Sequence, residues 1–292
     1  MGVIIMNDLM SLLFETNAFK ICEENKPFWY TSGKIGPYFV NTHFLYGNAE
    51  SAQDFLDFID VQLEKHSKEE IPANLFEKVL EQYKNNPIFK QVVDNLKSFI
   101  ESEIDLSKID YISGGERRDW YFSIIVANLL NKTHITIFKD LSAVVSTPDF
   151  RQTTPAENLA GKQILHIADL LNTASSYVRA WVPAIEKLGT KIIASVVVVD
   201  RMQGGSEVLS DLGIQSLSLL KINETLFNKA LELNIINENQ LDMLNKFTEN
   251  PDNCMREFLI QHPEFLENSL NSSDTKTAKR AKSCKEQNLY NL

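Results

Sequence analysis

Two apolar runs stand out in the second half of the chain. Residues 163–171 read QILHIADLL and residues 192–200 read IIASVVVVD. Runs this continuously apolar mark strands covered on both faces rather than strands with one wet side. The first carries Ile164, Leu165 and Ile167 and breaks at Asp169 into a short polar loop of small side chains. A helical pattern then runs from about residue 177 to Gly189. Strand, loop, helix and strand predict a βαβ unit, hence an at least partly parallel sheet. Its first loop lies where N–H groups left free at a helix start converge on an anion.

The pattern elsewhere is mostly helical. Residues 8–20 read as a helix with Leu9, Leu12, Leu13 and Phe19 on one side. Residues 26–41 (KPFWYTSGKIGPYFVN) are aromatic and broken by Ser32-Gly33 and Gly36-Pro37. They predict a hairpin-like segment whose rings are candidates to stack on a flat ligand. Residues 49–64 repeat apolar side chains at helical spacing, and 71–103 read as two helices punctuated by Pro72 and Pro87. A short strand at 110–112 runs into SGGERRD at 113–119, followed by an apolar helix over 120–130 and a strand over 135–138. Residues 140–160 lack a strong period and contain Pro148 and Pro155, which predicts a long loop and a candidate lid. A further strand is expected at 216–220 and polar helix over 222–270. Residues 271–292 have no apolar face and several cations, so disorder is expected there.

Composition narrows the class. The 292 residues are 43% hydrophobic and 23% charged, an ordinary globular balance. No apolar run nears the ~20 residues that span a bilayer, so no membrane partner is expected. The start, MGVIIMNDLMSLLF, lacks a basic leader and carries Asp8, so it reads as a first helix. A net charge of −10 disfavours a general nucleic-acid surface. Three widely spaced cysteines, Cys22, Cys254 and Cys284, argue for a reducing compartment, taken as the cytoplasm, and against a disulfide framework.

Three segments in order resemble the orotate phosphoribosyltransferases, members of the type I phosphoribosyltransferase family. They are IADLLNTASS (167–176), similar to that family's phosphoribosyl-diphosphate loop; VVVVDRMQGGSEVLSDLGIQSLSLL (196–220), with its Asp-Arg turn and Gly-Gly helix start; and YTSGKIGPYFVN (30–41), similar to the segment that holds the base. The resemblance covers roughly residues 8–47 and 108–224. It implies an α/β type I phosphoribosyltransferase fold, with a mostly parallel central sheet flanked by helices. The implied division is a base-binding hood over 1–47, a helical insertion over 48–108, a core over 109–224, a helical extension over 225–270 and a tail over 271–292.

The implied reaction transfers the 5-phosphoribosyl group of phosphoribosyl diphosphate to orotate, giving orotidine 5′-phosphate and pyrophosphate, with Mg²⁺ held mainly through the substrate and a homodimer as the usual assembly. By match to the motifs, Asn172, Thr173, Ala174, Ser175 and Ser176 cradle the 5-phosphate and Asp169 bonds the ribose hydroxyls. Arg201 grips the base's carboxylate, since a bidentate arginine reads that planar anion. Arg117 and Arg118 either meet a phosphate or pair within GERRD, and Lys139 stands where the family's basic mobile loop begins. Tyr38 and Phe39 either pack on the base or belong to the core, and Lys34 is a candidate for a phosphate or the base. His166, inside an apolar strand, reads as a core histidine. The chain also departs from the pattern. Ala168 replaces the first acid of the loop's pair, Ala174-Ser175 replaces Gly-Gly, Thr31 stands where a lysine is expected, and 140–158 offers only Arg151 as a cation. The rival functions are transfer to another base, or regulatory binding of the donor without turnover.

Overall fold

The computed structural model describes the backbone of residues 2–291 and the side chains of residues 9–291. Helix α1 (Gly2–Glu15) ends in a turn through Asn17 at φ 56°, a left-handed conformation asparagine tolerates. Phe19, expected on that helix, therefore falls in strand β1 (Phe19–Ile21). Strands β2 (Phe28–Trp29) and β3 (Ile35–Gly36) form a hairpin, and β4 (Tyr38–Val40) returns antiparallel to β1. Helix α2 (Ala49–Lys65) starts at Asn48, whose carboxamide oxygen accepts the Ser51 N–H while the Ser51 hydroxyl oxygen accepts the Asn48 N–H. Helices α3 (Ile71–Asn85) and α4 (Pro87–Glu103) are divided at Asn86. Each carries its proline in the first turn, where no helical N–H is lost.

The sheet begins with β5 (Tyr111–Gly115), α5 (Trp120–Leu129) and β6 (Thr133–Ile137). Next come β7 (Ala143–Ser146), β8 (Thr153–Pro155) and β9 (Gln163–Leu171). One π-helical turn at Tyr177–Trp181 runs into α6 (Val182–Glu186), followed by β10 (Lys191–Asp200), α7 (Gly205–Asp211) and β11 (Gln215–Lys221). The seven strands lie in the order β11-β10-β9-β5-β6-β7-β8. The first five pair in parallel and the last two antiparallel. From β5 the chain moves one way to β6, then returns to β9 on the other side. The crevice at the carboxyl ends of β5 and β9 is thus the point of reversal at which open α/β sheets bind ligands.

Helix α5 is buried from Trp120 to Ala127 and packs on β5, β6 and β9, with α3 and α4 over it. The expected helical insertion at 48–108 is therefore part of the core's own packing. Residues up to Ala18 group with Thr42–Ile222 in one compact unit; Phe19–Asn41 and residues from Asn223 onward form a second. The expected hood at 1–47 is thus divided between the two.

Two further expectations are corrected. Residues 140–160 are not a free lid: β7 and β8 extend the sheet, with Val144 and Ser146 buried and the Phe150 ring stacked on Phe76 at 4.6 Å. The inward positions are only two, one of them a serine, and Pro155 sits on the outer strand, where its missing N–H costs no ladder bond. Nor is the tail disordered. The second unit continues through α8 (Glu224–Glu232), α9 (Glu238–Glu249), α10 (Pro251–Gln261) and α11 (Pro263–Leu270) to α12 (Thr275–Glu286). Ala281, Cys284 and Tyr290 are buried in it. The Tyr290 hydroxyl oxygen accepts the Ile35 N–H at 2.8 Å, and Arg280 donates to the Trp29 carbonyl at 3.0 Å. Few large apolar side chains were available to signal this, because backbone groups of the β2–β3 hairpin supply the partners.

Candidate functional site

A cleft of about 330 Å³ opens at the carboxyl ends of β5 and β9, wholly within the first unit. Two glycines end β5 just before Glu116, the first cleft residue of the loop, and their role is space. A Cβ on Gly114 would strike the Ser123 side chain, and one on Gly115 would fall inside the Trp181 indole. The main chain can turn out of β5 here only because these positions carry no side chain. The Trp120 indole N–H donates to the Gly114 carbonyl at 3.1 Å and fixes the strand end to α5.

The loop leaving β5 spreads its charges outward rather than pairing them internally. Glu116 meets Lys139 (3.3 Å) and accepts the Lys139 backbone N–H, and Arg117 pairs with Asp60 of α2. Arg118 is exposed and, among the described residues, has no ion-pair partner. Burial, with the charge of Arg118 added to it, holds the His43 imidazole down at about 3. The Glu116–Arg117 peptide bond is cis.

The loop leaving β9 carries the other half of the site. Asp169 is 8% exposed. Burial and the neighbouring Asp119 push its carboxyl well above the ordinary carboxylate range, with Arg118 opposing them. Ala174 is buried at φ 54°, so alanine occupies a left-handed position where glycine costs least. Ser175 and Ser176 are exposed at the helix start, and Thr173 is exposed at the tip. The Asn172 carboxamide oxygen is buried and has no hydrogen-bond partner among the described residues. The opposite side of this loop rests on α7, because Gly205 lies so close to the Asn172 carbonyl that a Cβ would overlap it. The Arg201 N–H donates to the Leu171 carbonyl at 2.9 Å, tying the end of β10 to the same loop.

The structure thus brings Arg117, Arg118, Lys139, Asp169, Asn172, Ala174, Ser175 and Ser176 around one cleft. Arg201 lies at the neighbouring strand end and does not line it. Lys34, Tyr38 and Phe39 belong to the second unit. There the Lys34 ammonium bonds both Asp252 oxygens at 2.7 and 2.8 Å. Tyr38 is a core side chain packed on Phe19 (5.2 Å) and Phe247 (5.6 Å), and Phe39 meets Phe28 and Tyr30 edge-on. His166 is fully buried between Tyr177 and Trp181, its Nδ1 2.9 Å from Ser113 Oγ.

Asp119, Tyr177 and Trp181 also line the cleft and were not legible as site residues. Asp119 stands where a helix cap is expected, and the two aromatics fall on what reads as the apolar face of a helix.

No family model matches the chain. Among solved structures it superposes on the orotate phosphoribosyltransferase of Francisella tularensis with a TM-score of 0.53 at 15% identity, covering 83% of this chain and 98% of that one. It superposes on Leishmania donovani UMP synthase at 0.52 and 16% identity, covering 83% of this chain and 42% of that one. The fold is therefore that of the type I phosphoribosyltransferases. In sequence the chain is 32% identical over 87 residues to the orotate phosphoribosyltransferase of Sulfolobus acidocaldarius, 30% of this chain and 43% of that protein. It is 29% identical over 127 residues to that of Rhodopseudomonas palustris, 41% of this chain and 66% of that protein. The chain spans less than half the length of the first of these relatives. In fold and in these matched segments the chain is similar to the orotate phosphoribosyltransferases.

Proposed function

We propose that the chain transfers the phosphoribosyl group of 5-phosphoribosyl 1-diphosphate to a nucleobase, orotate foremost, and releases pyrophosphate. The observation that carries this reading is the cleft at the sheet's point of reversal. It has on one loop an exposed arginine that no ion-pair partner meets among the described residues, and on the other a lone carboxylate followed by a hydroxyl-rich helix start. The 5-phosphate would rest on N–H groups and the Ser175 and Ser176 hydroxyls. Asp169 would accept a ribose hydroxyl, and Arg118, with Arg117 and Lys139, would meet the pyrophosphate. The base nitrogen's electron pair forms the new bond to C1 as the C1–oxygen bond breaks, and the pair of the broken bond leaves on the pyrophosphate oxygen. The protein's work is to hold the partners in line and to balance charge at both ends.

Among the described residues no group of three or more His, Cys, Asp or Glu side chains is placed to hold a metal. The proposal includes Mg²⁺ that takes most of its oxygens from the donor, beside Asp169 and the anion cradle. Such an ion would neutralise the leaving group. Arg201 would read the base's carboxylate. We keep in this proposal a homodimer, whose partner could add cations to a site with few of its own, and a reducing compartment suited to three free thiols.

The test mixes the purified chain with phosphoribosyl diphosphate, Mg²⁺ and each of a panel of bases, following orotate absorbance and pyrophosphate release. Turnover of orotate alone supports the reading. Donor binding without turnover of any base would replace it with a regulatory one, consistent with Ala168 in place of an acid.

A further inference from the structure

The hydrogen-bonded ladder between β5 and β9 stops at the Ser113–His166 pair. Beyond it the strands part and the cleft opens between them. Two backbone donors lie just past the split, Gly115 N–H on β5 and Asp169 N–H on β9. One side chain takes both: Asp119 Oδ2 accepts from Gly115 at 3.1 Å and Oδ1 accepts from Asp169 at 3.0 Å. Buried N–H groups require acceptors and a buried carboxylate requires donors, so each satisfies the other. His166 Nε2 stands behind the carboxylate, 3.5 Å from Oδ2. Asp119 precedes α5 yet makes no side-chain cap there, so helix capping does not account for it.

The geometry points to Asp119 as a positioning residue that clasps the two ligand loops together and sets the spacing at which the pyrophosphate and ribose 5-phosphate halves of the donor are gripped. This rests on the phosphoribosyl-transfer reading of the cleft. Ala168 leaves the β9 loop a single acid, so the placement of Asp169 relative to the loop after β5 has no second carboxylate to share it. Asp119 holds Asp169 by that residue's own N–H, and holds the opposite loop by Gly115 at the base of the arginines. Two half-sites held at the right separation make the joined ligand bind far better than either half, because the second contact becomes intramolecular.

The test is calorimetric titration of the full chain, in Mg²⁺, with phosphoribosyl diphosphate, with ribose 5-phosphate and with pyrophosphate. It is repeated on Asp119→Asn, which turns one acceptor into a donor facing an N–H, and on Asp119→Glu, which keeps both oxygens but lengthens the clasp. The expected result is a loss of about tenfold or more for the joined donor, with each half bound as before. Reduced folding would instead lower the active fraction for all three ligands alike. If Asp119→Asn does not fold, Asp119→Glu carries the comparison. Equal losses for all three ligands, or no loss for the donor, would overturn the clasp. A wild-type chain that binds neither the donor nor its halves would remove the transfer reading, and the clasp with it.

Discussion

Gly115→Ala is the sharpest probe of how the cleft is built. Gly115 does not adopt a positive φ, so an alanine there meets no backbone penalty and its whole effect is steric. The added methyl would lie within the Trp181 ring system. The indole has little room to retreat, because it is 6% exposed and stacks on His166 at 6.4 Å. His166 is in turn held at Ser113 and edge-on to Tyr177 at 5.0 Å. Forcing a methyl into packing of this kind costs about 1–3 kcal/mol. With a urea slope of about 1–3 kcal/mol per molar, the midpoint of the first unit's transition should fall by roughly 1 M. Tryptophan fluorescence reads it, since Trp181 lines the cleft and the Trp120 indole is bonded to Gly114 at the end of β5. Trp181→Phe should recover part of the loss by removing the atoms the methyl strikes, and the double-mutant cycle measures that coupling. A Gly115→Ala protein as stable as wild type, or one that Trp181→Phe does not relieve, would refute the claim that this glycine is there for space.

Asp169→Asn should separate stability from binding. The folded carboxyl is raised from 3.8 to about 7 by burial and Asp119, so the folded state binds that proton more tightly than the unfolded chain. Its stabilising contribution is present below the unfolded value and lost as pH rises through the folded one. The asparagine variant should therefore gain stability over wild type at pH 8 and not at pH 4 in thermal melts, while losing donor affinity; equal melting curves at both pH values would remove the buried-carboxylate argument. Wild-type donor affinity should rise with pH through the same range, as the carboxylate forms. Arg118→Ala should weaken pyrophosphate binding more than Arg117→Ala does, because Arg117 is already paired with Asp60; the reverse order in calorimetry would overturn that assignment. Tyr290→Phe removes the acceptor for the buried Ile35 N–H and should cost the second unit about 1–3 kcal/mol, measured by denaturant unfolding.

What the sequence discloses depends on whether one side chain or many carry the signal. Strands β9 and β10 are covered on both faces, so nearly every residue reports burial. Helices α2 to α4 show their apolar stripe at helical spacing, with Pro72 and Pro87 at the starts. Strands β7 and β8 escape notice because Val144 and Ser146 are their main inward positions and the edge is polar. Helix α12 escapes because it attaches through Ala281, Cys284 and Tyr290 in an otherwise charged segment. The phosphate-type loop after β9 is legible as a run of small residues in order. Asp119 is not, since its partners are backbone N–H groups of two strands, and no spacing in the chain encodes a contact with Asp169, fifty residues on.

The second unit joins residues 19–41 to residues beyond 223, and that arrangement has a consequence during synthesis. Phe19, Trp29, Ile35 and Tyr38 leave the ribosome long before the residues that cover them, Trp29 240 residues ahead of Ser269 and Ile35 255 ahead of Tyr290. Residues 42–222 hold a complete sheet and can close while the chain is still growing. The early hairpins must wait, with aromatic side chains and strand edges open to other chains. A trigger of premature self-association should therefore be sought in these first hairpins rather than in the sheet, and a chaperone that shields nascent aromatic segments has its clearest task there.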